Sequence, residues 1–275
     1  MARPSLQPVK NVRCLYYIVA LLVSSVVLFL GIHTMPSVFA SSYPSSNLSA
    51  IVSNSGDNWA GYEALGRPHT FNKAQVSFKI PSLNPSTQGV TSEWAGIGGE
   101  RVITNSPVLV QAGVDSFMDS SGHQSNEAWI EVHGVYPSQN VQFLHGLHRG
   151  DSIYVYVESN VNHSGYDKFY IQNSTTHEEH WFSLAGQQYI TDGASGECIL
   201  ERLDEPLANF EKEKLSSCRL SDGKDPVHLS PIGSYPTATK VNMVSNPGSK
   251  HSVMFANPGN LDKKGQAFVI TWHNP

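Results

Sequence analysis

Beyond residue 57 the chain alternates between polar and apolar positions. Gln75-Val76-Ser77-Phe78-Lys79-Ile80 places a polar residue at every second position and stops at Pro81. Ser152-Ile153-Tyr154-Val155-Tyr156-Val157-Glu158 repeats the pattern with aromatic and β-branched residues, and Phe268-Val269-Ile270-Thr271-Trp272 supplies a C-terminal strand. A period of two sends successive side chains to opposite faces, so each segment predicts a strand with one dry and one wet face. Helical periodicity is almost absent; the one helical turn expected is Leu207 to Leu215, and it is short. Many short strands divided by Gly, Pro, Ser and Asn predict an all-β domain, a sandwich or a barrel.

The N-terminus breaks this pattern. Arg3, Lys10 and Arg13 precede an apolar run from Leu15 to Ile32, interrupted only by Ser24 and Ser25, and Pro36-Ser37-Val38-Phe39-Ala40 follows. That succession reads as a secretory signal peptide over residues 1–40, cut after Ala40. An uncleaved anchor is the rival reading, because the run approaches the length of a membrane span. Either way the remainder is expected to face outward. Residues 41–57, rich in Ser and Asn, read as a flexible lead-in or short pro-segment, and residues 58–275 as one β domain. Residues 1–40 hold three basic and no acidic side chains, which leaves 15 Lys+Arg against 23 Asp+Glu beyond them, a formal net charge of −8. No basic nucleic-acid footprint is present. Cys14 falls in the signal. Cys198 and Cys218 remain as an even pair in an exported chain and are expected to form a disulfide. Asn47, Asn162 and Asn173 stand in N-x-Ser/Thr sequons.

Familiar hydrolase signatures are missing. There is no GxSxG elbow, no HExxH and no Asp-Thr/Ser-Gly pair. His177-Glu178-Glu179-His180 reads as a solvated loop, and His145 and His148 as surface histidines, so no metal and no cofactor are expected. What remains is polar residues inside strand-like segments. Val108-Leu109-Val110-Gln111-Ala112-Gly113-Val114-Asp115 carries an amide, Ala128-Trp129-Ile130-Glu131-Val132-His133 carries an acid on the face of Trp129, and Gly196-Glu197-Cys198-Ile199-Leu200-Glu201 puts Glu197 and Glu201 on one face. Pattern alone leaves two readings open: a polar groove on a sheet, or ordinary wet-face residues.

Motifs favour the groove. Asn58-Trp59-Ala60-Gly61-Tyr62, Trp94-Ala95-Gly96-Ile97-Gly98-Gly99, Val110-Gln111-Ala112-Gly113-Val114-Asp115, Ala128-Trp129-Ile130-Glu131, Gly150-Asp151-Ser152-Ile153 and Glu197-Cys198-Ile199-Leu200-Glu201 follow one another in this order. Together they resemble the glutamic peptidases, the eqolisin family, over about residues 57 to 273. The resemblance implies a sandwich of two bent antiparallel sheets, similar to legume-lectin architecture. It also implies an acid endopeptidase acting on polypeptides through Gln111 and Glu197. Glu197 would activate the water and Gln111 would hold the oxyanion, with activity fading towards neutral pH and unaffected by pepstatin. Asp115, Glu131 and Glu201 are expected to orient the pair or hold the groove. Trp94 and Trp129 would be groove wall or core, Trp59 core. A monomer is expected. Departures from the family pattern are Cys198 where a Trp follows the catalytic Glu, Gly98 where an acidic residue is frequent, and Val132 in place of a second Trp; they leave substrate preference open. Two other functions fit a β-sandwich: a lectin-like carbohydrate-binding module without catalysis, and a glycoside hydrolase using Glu131 and Glu197.

Overall fold

The computed structural model describes residues 54–99, 108–134, 139–143, 146–159, 165–185, 191–223 and 228–274. The expected signal, most of the lead-in, His145, Asn47 and Asn162 lie outside them. The strands in chain order are β1 (Asn54–Gly56), β2 (Trp59–Leu65), β3 (Lys73–Lys79), β4 (Gly89–Gly98), β5 (Leu109–Met118), β6 (Gln124–His133), β7 (Gln139–Phe143) and β8 (Ser152–Glu158). They continue with β9 (Tyr166–Asn173), β10 (Glu178–Ala185), β11 (Ser195–Glu201), β12 (Lys212–Ser221), β13 (Ser230–Pro231), β14 (Ala238–Val244), β15 (Met254–Pro258) and β16 (Phe268–Trp272).

Alternation explains the strands with one wet face. β3 and β8 bury every second residue, Val76 and Phe78 on one and Ile153, Val155 and Val157 on the other. β4, β5 and β11 do not alternate, because both of their faces are covered. One face meets the apolar core. The other carries Ser92, Gln111, Asp115 and Glu197, all buried polar residues. Strands that stay buried while carrying such side chains are the first structural sign of a functional face, since buried polar groups cost energy unless they are satisfied.

The strands form one hydrogen-bonded path, β10-β9-β8-β3-β12-β16-β15-β14-β2-β11-β4-β5-β6-β7, with β1 and β13 attached at β14 and β12. All its neighbours run antiparallel; β1 alone pairs parallel, with β14. The all-β antiparallel expectation therefore holds, but two separate sheets are not what forms. The reason lies in β12. Its first half, Lys212–Leu215, pairs with β16, and its second half, Ser216–Ser221, pairs with β3. The register shifts between Ser216 and Arg219, where Ser217 takes a positive φ of 52°. A bulge of this kind bends the strand and increases its twist, and the sheet curls so that β3 and β8 lie against β4. Val76, Val155, Phe169 and Ile171 then pack with Ile97, Val110, Ala112 and Ile130 in the main core.

The helical turn expected over Leu207–Leu215 does not form. Leu207 makes an isolated parallel bridge to Val90, and Lys212–Leu215 is strand, exposing both lysines and burying Glu213 and Leu215. Glu and Lys favour helix intrinsically, but tertiary pairing overrides that weak preference. The 177–180 segment is likewise less loop-like than expected. His177 sits in the turn with a positive φ of 63°, while Glu178 opens β10 and accepts from His180 at 3.1 Å. The expected disulfide is present between Cys198 and Cys218, fastening β11 to β12 through the core.

Candidate active site

Strand pairing decides where the polar residues point. Gln111 on β5 stands opposite Gly96 on β4 and opposite Glu131 on β6. Glu197 on β11 stands opposite the same Gly96 and opposite Glu63 on β2. One cross-strand row therefore reads Glu131, Gln111, Gly96, Glu197, Glu63, all on one face. The next row reads Trp129, Gly113, Trp94, Ile199, Gly61, and the one beyond it Glu127, Asp115, Ser92, Glu201, Trp59. Every residue singled out from the sequence for the site falls on this face.

Glycine makes the central row workable. Gln111 and Glu197 are two strands apart, so their backbones are separated by about 9.6 Å. A side chain on the strand between would keep them apart. At Gly96 a Cβ would stand 2.8 Å from Trp94 Cζ3, 3.0 Å from Leu109 Cδ1 and 3.2 Å from Glu197 Oε1. The Glu197 carboxylate thus leans over Gly96, towards the Gln111 side. Gly113 does the same for the tryptophans: a Cβ there would meet Trp94 Cβ at 2.6 Å and Trp129 Cζ2 at 3.0 Å.

The surrounding side chains are tied in place. The Gln111 amide donates from Nε2 to Glu131 Oε2 at 2.8 Å, which fixes the orientation of the amide; its buried Oε1 has no hydrogen-bond partner. His133 Nδ1 lies 3.6 Å from Glu131 Oε1. Glu201 accepts from Asn58 Nδ2 at 2.7 Å and from Trp94 Nε1 at 2.8 Å. Asp115 accepts from Trp129 Nε1 at 2.6 Å. Trp59 packs edge-on against Trp94, with ring centroids 5.0 Å apart. Burial pushes the Glu201 carboxyl up to about 7, against the opposing pull of its hydrogen bonds to Trp59 and Trp94. Burial likewise raises Asp115 to about 6, opposed by the Ser92 side chain close by and by the hydrogen bond from Trp129 Nε1.

A groove of about 670 Å³ opens over this face, lined among others by Trp59, Gln111, Asp115, Trp129, Glu131 and Glu201. Trp129 and Trp59 are wall. Trp94, for which wall and core were both open, is wholly buried as core under Trp59, and Trp59, expected as core, lines the groove instead. Glu197 is 1% exposed and is not among the residues that line the groove. Leu109, His133 and Asn58 also line the groove and were not singled out from the sequence, nor were Gly96 and Glu63 as members of the central row. The signal for Glu63 was present: it follows Trp59 and Gly61 at the strand period in Trp59-Ala60-Gly61-Tyr62-Glu63.

The sequence profile of the Peptidase A4 family matches residues 57–255. The chain belongs to the Peptidase A4 family. This peptidase family is the one its motifs resemble. A structure of scytalido-glutamic peptidase with a transition state analog inhibitor matches with a TM-score of 0.60 at 18% identity, covering 79% of this chain and 98% of that one. SCP-B, a member of the eqolisin family of peptidases in complex with the tripeptide Ala-Ile-His, matches with a TM-score of 0.53 at 16% identity over 79% and 98% of the two chains. At such identities the likeness establishes the fold. No curated protein sequence matches the chain.

Proposed function

We propose that this Peptidase A4 member is an exported acid endopeptidase in which Glu197 is the general base and Gln111 the oxyanion donor. One observation carries the reading: the cross-strand row that puts both side chains on the same face, flanking Gly96. A water held between them gives its proton to Glu197 and its oxygen attacks the substrate carbonyl. The Gln111 amide has two N–H bonds. One is spent on Glu131, and the other is available for the developing oxyanion. Glu197 then returns the proton to the leaving nitrogen as the C–N bond breaks. Low solvent access strengthens each of these electrostatic contacts. The inhibitor and tripeptide held by the two structural neighbours support a peptide as occupant of the corresponding groove here.

Acid operation has a physical basis in the groove wall. Asp115, at about 6, and Glu201, at about 7, are neutral at acid pH and acquire charge as pH rises through those values. Activity is therefore expected to fall towards neutrality. Pepstatin is expected to have no effect, because no pair of aspartates forms the centre. Export rests on the signal-like residues 1–40. The test is digestion of a denatured protein at about pH 3–4, near the ordinary carboxyl value, with and without pepstatin, by the wild type and by Glu197→Gln. Pepstatin-resistant cleavage that disappears in the variant is the expected result. Full activity in Glu197→Gln overturns the mechanism, and glycan retention without any cleavage would replace it with a lectin-like role.

A further inference from the structure

Glu63 is the buried acid on this face that the mechanism above leaves without a task. β2 pairs with β11 so that Glu63 stands directly opposite Glu197. Residues opposed in this way have Cβ atoms about 4.5–5.5 Å apart. Both are 1% exposed. Period two puts Trp59, Gly61, Glu63 and Leu65 of β2 on the groove face, so Glu63 is the only acid that β2 contributes to it. An isolated carboxylate there would be costly to bury. Beside the base of a hydrolase it has a use.

We infer that Glu63 is a positioning residue for the reaction, sharing a proton with Glu197 so that the pair carries one negative charge, held on Glu197. This rests on the reading of Glu197 as the base. Two adjacent carboxyls cannot readily both ionise, and they titrate as a pair. In the singly charged pair Glu63 keeps its proton and donates a hydrogen bond to Glu197, which holds the base ionised and aimed across Gly96. Through the reaction the water's proton goes to Glu197 and from there to the amine, while Glu63 retains its own. Among the described residues, the cross-strand row itself contains no lysine or arginine. From β14 Glu63 faces Thr239, since Lys240 is opposite Tyr62 on the other face and bonds Asn260. β11 adds Glu201, β5 Asp115, and β6 Glu127, Glu131 and His133, whose ring is drawn to Glu131. β4 presents Ser92, Trp94 and Gly96, none of which titrates.

The experiment is the pH profile of kcat for the wild type and Glu63→Met, which keeps the length of the side chain and removes both the ionisable group and the hydrogen-bond donor. Without the shared proton, the acid limb of kcat is expected to move up by about one pH unit or more, with KM unchanged. A purely structural Glu63 would lower activity equally at every pH. An unmoved limb in an active Glu63→Met overturns the inference while leaving the peptidase reading intact; a wild type that cleaves nothing at any pH removes that reading instead. Should Glu63→Met fail to fold, ¹³C-carboxyl glutamate NMR of the wild type decides. The Glu197 resonance, assigned by its loss in Glu197→Gln, should titrate in two steps, and a single step overturns the pair.

Discussion

At the scale of single residues, the face is organised around who donates to whom. Glu201 collects Asn58 and Trp94, Asp115 collects Trp129, and Glu131 collects Gln111. The carboxyl groups thus orient the aromatic and amide groups, while Glu197 and Glu63 carry the proton chemistry proposed above. Gln111→Ala should lower kcat by about 10²–10³, the scale of losing one oxyanion donor, with little change in thermal midpoint; steady-state kinetics and a melting curve on the same preparation check both halves. Much of this arrangement could be read from the chain. Gln111, Glu131, Glu197 and Glu201 lie in strand-patterned segments, and their parity within each segment was correct. What parity cannot give is the register between strands, and register alone makes Gly96 the shared neighbour of Gln111 and Glu197. The place of Trp59 on the wall and of Trp94 beneath it has the same origin, since both are tryptophans in strands and only packing distinguishes wall from floor.

At the scale of elements, β11 carries the proposed base on one face and the disulfide on the other. Cys198 follows Glu197 and so points into the core, where it reaches Cys218 on β12. The bond closes a separation of 20 residues, for which chain entropy gives about 3 kcal/mol. Replacing both cysteines by Ala should therefore reduce unfolding free energy by roughly 2–4 kcal/mol in a urea titration. Alternating strands such as β3 and β8 were legible because one face is wet. The bend in β12 was not, because Lys212-Glu213-Lys214-Leu215 is written in helix-forming residues and is held extended only by β16. One curled sheet in place of two separate ones follows from that same strand, which no local pattern marks as a junction.

For the whole molecule, buried acids set the pH range of stability. Glu93 lies wholly buried on the core side of β4, accepting from Thr91, and burial together with the nearby Glu213 holds its carboxyl well above the usual range. Burial raises Glu213 to about 8. With Asp115 and Glu201 they form a set whose folded values all lie above the ordinary carboxyl range. Groups raised in this way favour the folded state fully at pH below about 4, where folded and unfolded chains are both protonated. That contribution is lost as pH rises through the folded values, because the unfolded chain releases protons that the folded one retains. The thermal midpoint should be highest in acid and should decline between about pH 4 and pH 8. The joint replacement Glu93→Gln and Glu213→Gln should flatten the decline, as calorimetry across that range would show.

Asn173 closes β9 with its side chain buried, donating to Asp151 and accepting from the Thr175 backbone. Its sequon is therefore sealed once the domain has formed, since a sugar cannot be attached to an amide already committed on both sides. Oligosaccharide found at this asparagine would mark molecules caught by the glycosylating machinery before they folded, so its occupancy in a secreted preparation would serve as a count of failed maturation.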